Sequence, residues 1–133
     1  VSKIIKKEFP YKTEYTLNGQ YHREDGPARD FADGEKHWFL YGKRHRIDGP
    51  AVEYTDGSKY WYLNGKLHRE NGPAIEYANG NKYWYLHGER HREDGPAVEF
   101  AGGKKEYWIN DKYLGFITND QMLFYYLKYG FLK

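Results

Sequence analysis

His45-Arg46-Ile47-Asp48-Gly49-Pro50-Ala51 is the stretch whose reading decides the fold. It returns as HREDGPA from His22, HRENGPA from His68 and HREDGPA from His91, each 23 residues from the last and without insertion. A strict period of this length marks a stacked array of supersecondary units. The heptapeptide is therefore a joint between units before it is a candidate for chemistry.

One unit, residues 51–73, shows what the joint connects. Ala51-Val52-Glu53-Tyr54-Thr55 and Ser58-Lys59-Tyr60-Trp61-Tyr62-Leu63 are rich in β-formers. Asp56-Gly57 between them reads as a two-residue type I′ hairpin turn, which needs positive φ at both positions. It recurs at Asp33-Gly34, Asn79-Gly80 and Gly102-Gly103. A second turn at Asn64-Gly65 recurs at Asn18-Gly19, Tyr41-Gly42 and His87-Gly88, and ends as Asn110-Asp111. A two-residue loop at 56–57 sets Val52 opposite Trp61 and Glu53 opposite Tyr60. Alternation then predicts a core face of Val52, Tyr54, Trp61 and Leu63. Ala51, Glu53, Tyr60 and Tyr62 fall on the other face, a half-open ladder continued by His37, Phe39, Glu76, Tyr83 and Tyr85.

Composition agrees with a thin, flat protein. Aromatics are 20% of the 133 residues, with 15 Tyr and 4 Trp, so aromatic rings rather than a thick aliphatic core are expected to seal the sheet. With 21 basic and 19 acidic side chains, bulk charge makes no case for nucleic acid or membrane. There is no Cys, hence no disulfide or thiolate chemistry. No apolar run reaches the roughly 18 residues of a membrane span, and no signal-peptide pattern is seen. The expectation is a cytoplasmic protein.

The period fails after Asn110. Thr118-Asn119-Asp120-Gln121 reads as a capping box, and Met122, Leu123, Tyr125, Tyr126, Leu127 and Tyr129 repeat at helical spacing before Gly130. A helix over 119–129 is predicted, covering the end of the array or docking a partner or a second copy. The fold class expected is mainly β: an elongated antiparallel sheet of tandem 23-residue β-hairpin repeats with a C-terminal capping α-helix. It is read as one domain, 1–133. Residues 1–21 form a leading strand and half repeat, 22–113 four repeats, and 114–133 the helical cap.

The run Tyr62-Leu63-Asn64-Gly65-Lys66-Leu67-His68, continued by Tyr77-Ala78-Asn79-Gly80, resembles the MORN repeat. The resemblance covers about residues 13–113. It extends to MORN-variant antitoxin-type proteins of bacteria and to similar arrays in phages and large viruses. It implies hairpins in series and no intrinsic catalytic site. Where MORN units carry His-Gly-x-Gly this chain has His-Arg-x-Asp-Gly-Pro-Ala, so the lipid binding attributed to some MORN proteins transfers poorly.

A His, an Arg and an Asp in four residues suggest acid–base chemistry with an anion clamp. Fourfold recurrence argues for structure instead. Asp25, Asp48, Asn71 and Asp94 suit turn capping, Arg suits stacking on a neighbouring aromatic, and His suits a bond to the same loop. His45, Arg46, His68, Arg69, His91 and Arg92 are the anion-binding candidates. Histidines two strands apart, about 10 Å, cannot share a zinc ion, so no metal, cofactor or catalytic residue is assigned. The partner expected is another protein, held by Phe39, Glu53, Tyr60, Tyr62, Glu76, Tyr83 and Tyr85, and by Tyr125, Tyr126 and Tyr129 of the helix. A homodimer through that helix is a further option. The alternatives are a nucleic-acid or nucleotide-binding module using the His/Arg loops, and a structural component of a larger particle.

Overall fold

The computed structural model describes residues 3–115. The predicted helix over 119–129, with Tyr125, Tyr126 and Tyr129, lies outside the described residues. These are mainly β, with no helix among them. They divide between Leu67 and His68 into two compact units.

The first unit contains β1 (Ile4–Glu8), β2 (Lys12–Leu17), β3 (Gln20–Tyr21), β4 (Arg29–Phe31), β5 (Lys36–His37), β6 (Phe39–Leu40), β7 (Lys43–Arg44), β8 (Val52–Glu53), β9 (Lys59–Tyr60), β10 (Tyr62–Leu63) and β11 (Lys66–Leu67). Its antiparallel sheet runs β1-β2-β4-β5-β8-β9, with β3 folded back on β2 and with β6-β7 and β10-β11 as separate hairpins. The second contains β12 (Ile75–Glu76), β13 (Lys82–Tyr83), β14 (Tyr85–Leu86), β15 (Glu89–Arg90), β16 (Val98–Glu99), β17 (Lys105–Ile109) and β18 (Lys112–Gly115). Its sheet runs β12-β13-β16-β17-β18, with β14-β15 as its separate hairpin. The inner repeats are thus runs of short strands interrupted at Trp38, Trp61 and Trp84, whereas the equivalent Tyr15 and Tyr107 lie within the longer β2 and β17.

The register differs from the sequence expectation by one residue. Val52 opposes Tyr60 and Glu53 opposes Lys59. The same register recurs with Ile75 opposite Tyr83 and Arg29 opposite His37. The reason is the turn. Tyr54 N–H donates to Ser58 O at 3.0 Å and Gly57 N–H to Tyr54 O at 3.1 Å, closing a three-residue loop. Asp56 Oδ1 accepts the Ser58 N–H at 2.8 Å, and Gly57 is the only loop residue with positive φ, 95°. This is a turn followed by a glycine bulge, the three-residue alternative to a I′ turn. One extra loop residue moves every side chain of the second strand to the opposite face.

The core face is therefore Val52, Tyr54 and Tyr60, not Val52, Tyr54 and Trp61. Val52 and Val98 are fully buried, and Ile75 nearly so. Ala28, Ala51, Ala74 and Ala97, the last residue of each heptapeptide, have no exposed surface. The second turn does take the I′ form. Asn64 and Gly65 have φ of 49° and 81°, and Tyr41 (49°) and His87 (51°) accept the same left-handed conformation in place of Asn.

Both ends of the described array carry polar residues at the Tyr60 position. Glu14 Oε2 accepts from Tyr21 Oη and Arg29 Nε, each at 3.1 Å, and pairs with Lys12 at 3.3 Å. Burial pushes the Glu14 carboxyl up, and the bonds from Lys12, Tyr21 and Arg29 bring it below the usual value. Glu106 holds the same position in the second unit and accepts the Trp108 indole N–H at 3.1 Å. Terminal repeats need such polar replacements, since they have a neighbour on one side only. β1, exposed throughout and carrying Lys6 and Lys7, is a solvated edge of the kind that discourages further pairing.

Candidate binding surfaces

The heptapeptide is built around its arginine. Arg46 Cζ lies 3.8 Å from the centre of a Trp38 ring, Nε donates to Asp48 Oδ1 at 3.0 Å, and Nη1 donates to the Pro50 carbonyl at 3.1 Å. Nη1 also lies 3.6 Å from Glu53. Arg92 repeats the set on Trp84, Asp94, Pro96 and Glu99. Arg23 repeats it on Tyr15, Asp25 and Pro27, and Arg69 reaches Pro73 and Glu76. Stacking on the aromatic agrees with the sequence expectation. The carboxylates of Asp25, Asp48 and Asp94 do not cap the turn as expected; they hold the guanidinium. Asx capping occurs at the other turn, through Asp33, Asp56 and Asn79.

The glycine of this motif has a different reason from the turn glycines. A Cβ on Gly49 would lie 2.9 Å from Arg46 Cζ, and one on Gly26 2.8 Å from Arg23 Cζ. Neither residue has positive φ. Gly is required because the guanidinium lies against the loop backbone, with the aromatic ring on its other side.

Each histidine joins one repeat to the next. His22 Nδ1 accepts the Tyr41 N–H at 2.9 Å, His45 the Asn64 N–H at 3.0 Å, His68 the His87 N–H at 2.9 Å and His91 the Asn110 N–H at 3.1 Å. The acceptor role places the ring proton on Nε2. The expected bond to the same loop occurs at His91, whose Nε2 meets Glu93 Oε1 at 3.3 Å, while in all four copies Nδ1 bonds to a I′ turn 19 residues on. The anion-binding candidates His45, Arg46, His68, Arg69, His91 and Arg92 are thus engaged in structural bonds. Each Arg lies among carboxylates that oppose an added anion. No cluster of three or more metal-binding side chains occurs among the described residues.

The predicted partner-binding residues separate. Tyr60 and Tyr83 lie on the face of Val52 and Ile75, and Phe39 and Tyr62 stack with Arg44 there. Tyr85 lies with Tyr83 around Arg90, whose Nη2 donates to Tyr85 Oη at 2.9 Å. Glu53 and Glu76 are on the opposite face, beside Arg46 and Arg69. The predicted mixture of tyrosines and carboxylates on one face is therefore corrected to an aromatic face with stacked arginines and a separate loop face with carboxylates. The cause is again the three-residue turn. Burial pushes the Tyr83 phenol above its ordinary value, with help from the Tyr77 hydroxyl, which keeps Tyr83 neutral. Sequence reasoning missed Arg44 and Arg90. Their signal was a basic residue where other units have Tyr21, Leu67 and Tyr113.

On the loop face the half-buried Trp and Leu residues form open grooves between successive heptapeptides. One, about 630 Å³, has Trp38 and Leu40 at its base and Asp25, Ile47 and Asp48 on its rim. The second unit builds its equivalent on Trp84 and Leu86, about 770 Å³. A third, in the first unit, lies on Tyr15 and Leu17 and reaches Tyr41.

His37 occupies the Tyr60 position and is 5% exposed. Its Nε2 meets Glu35 at 3.1 Å and its buried Nδ1 has no hydrogen-bond partner. Burial holds the imidazole below its ordinary value of 6.5, against the opposing pull of Glu35. A depressed folded value means that stability is fully present above about pH 6.5 and is lost as the pH falls below it. His37→Tyr, which restores the residue of the next two units, is expected to add about 1 kcal/mol at pH 7 by removing the unpartnered nitrogen. Urea midpoints measured from pH 7.5 to 5 should fall less steeply for the variant. Equal slopes would show that His37 does not carry this dependence.

Comparison with family models, with curated proteins and with solved structures returned no match to this chain.

Proposed function

We propose that this chain is a non-enzymatic, MORN-like repeat protein that binds another protein and occludes or scaffolds it. The observation that carries the reading is the aromatic face. Each unit has one of its own: Tyr54, Tyr60 and Tyr62 in the first and Tyr77, Tyr83 and Tyr85 in the second are half-buried or more exposed. Tyrosine offers large contact area and a hydroxyl for few rotatable bonds, which favours it at protein interfaces. The reactive-looking residues of the heptapeptide have structural duties, which directs function to the faces beside it. An antitoxin-like or phage-encoded inhibitor is the concrete form that the repeat resemblance favours.

Affinity capture from a lysate of the source cell is expected to return one stoichiometric protein. Tyr54→Ser with Tyr77→Ser, at rim positions 37% and 36% exposed, should lose it while keeping the melting temperature within a few degrees. Retention of the partner by the double variant would remove the aromatic face from the interface. Tight binding of single-stranded nucleic acid that weakens steeply with salt would replace the reading altogether.

A further inference from the structure

The array contains its own internal comparison. At the third position of the heptapeptide the chain has Glu24, Glu70 and Glu93, but Ile47 in the second copy. At the first residue of the I′ turn it has Asn18, Asn64 and Asn110, but Tyr41 beside Ile47 in the first unit and His87 in the second. Both departures work against local stability or solubility. Ile47 is 86% exposed, and Tyr41 is 62% exposed with a φ of 49° that a bulky residue adopts only at a cost. Both fall in the first unit, on the two grooves that flank the Arg23-Glu24-Asp25 loop: Tyr41 with Tyr15 and Leu17, Ile47 with Trp38 and Leu40. Ile47 takes no part in the core, and Tyr41 packs on the His22 ring.

The charge that a partner meets here is negative. Arg23 and Arg46 are sunk beside their rings, with side chains 24% and 22% exposed, while Asp25 and Asp48 are each 87% exposed and Glu24 is 79% exposed. A floor of aromatic and aliphatic side chains, part-covered by Arg23 and Arg46, with a carboxylate rim fits an aliphatic side chain flanked by cations. It repels a phosphate backbone.

Spacing adds the conformation. Tyr15 lies on β2 and Trp38 directly follows β5, with β4 alone between those strands. At about 4.8 Å per strand the grooves are about 9.6 Å apart. A polyproline II segment rises about 9.3 Å in three residues.

We propose that the loop face of the first unit binds a basic, extended protein segment with an aliphatic residue at every third position, seated against Tyr41 and Ile47 and flanked by Glu24, Asp25 and Asp48. This rests on the protein-binding reading above only in that the partner is a protein; the surface is a different one.

The test uses the full chain and a fluorescein-labelled peptide of four Lys-Pro-Leu triplets. Saturable binding on the order of 10–100 μM is expected at about 50 mM salt. A scrambled peptide of the same composition and a Glu-Pro-Leu peptide should bind at least about tenfold more weakly. Tyr41→Asn with Ile47→Gln should weaken the first peptide about tenfold or more while the melting temperature stays within a few degrees, because the relief of Asn in the turn offsets the lost contact with His22 and residue 47 is exposed. Glu24→Lys should weaken it comparably. No saturation by about 1 mM, indifference to spacing, or full affinity in the Tyr41→Asn, Ile47→Gln variant would overturn the proposal. So would a twelve-residue oligouridine that binds more tightly than the peptide. Peptide affinity lost with Tyr54→Ser and Tyr77→Ser, but kept in the Tyr41→Asn, Ile47→Gln variant, would overturn this placement and leave the aromatic-face reading standing.

Discussion

Gly49→Ala is expected to destabilise the protein by about 2 kcal/mol, although no turn geometry demands glycine there. The new Cβ would lie 2.9 Å from Arg46 Cζ. A flexible arginine would ordinarily swing away at little cost. This one is held by the Trp38 ring, by Asp48 at 3.0 Å and by the Pro50 carbonyl at 3.1 Å. Displacing it forfeits a stacked cation, worth about 0.5–2 kcal/mol, and a bond to a carboxylate, worth about 1.5–3 kcal/mol before solvent replaces part of it. Exposed Asp48 recovers water, which keeps the total near the lower end.

Arg46→Ala should cost about as much, because it removes the same contacts. The decisive result is the pair. With Arg46 already Ala, the Cβ of Gly49→Ala has no other neighbour nearer than 3.2 Å, and the change should cost less than about 0.5 kcal/mol, a coupling well above experimental error. Urea midpoints of the four proteins provide the measurement. Additive losses would show that Gly49 is required for some reason other than the guanidinium.

His22→Phe should cost about 2 kcal/mol. The ring is 2% exposed and lies 4.3 Å from that of Tyr41, so Phe keeps most of the volume. What it removes is the Nδ1 acceptor for the Tyr41 N–H at 2.9 Å. His22→Asn makes the opposite exchange: its carbonyl oxygen can accept that bond, while the ring volume is lost. The two variants therefore separate packing from hydrogen bonding. Amide exchange at Tyr41 should accelerate in the Phe variant and stay slow in the Asn variant. Identical acceleration in both would mean that the ring, not its nitrogen, orders the turn. The bond links positions 19 apart in sequence, as do its counterparts from His45, His68 and His91, so each histidine ties its own unit to the following turn.

The period, the β class, the positions of both turns and the structural use of the heptapeptide were legible from residues 22–113. They are local properties: Asn-Gly and Asp-Gly punctuate runs of β-formers, and a strict repeat forces each unit into the same solution. Arg stacking was legible too, because one Arg and one aromatic recur in every unit. The partners of Asp48, Gly49 and His45 were not, since each depends on which neighbour the chain folds against.

Sequence alone determined that the chain is a repeating antiparallel β structure and where each turn falls. Tertiary structure decided which face each aromatic takes. Asp56-Gly57 is compatible with a two-residue or a three-residue loop, and the difference is one residue of register. Burial of Val52 against Tyr60, with Ser58 beneath the turn, selects the longer loop. That step separates Tyr60 from Glu53, and the same step at Asp33-Gly34 places Trp38 under Arg46, which local propensity cannot specify because both registers satisfy it equally well.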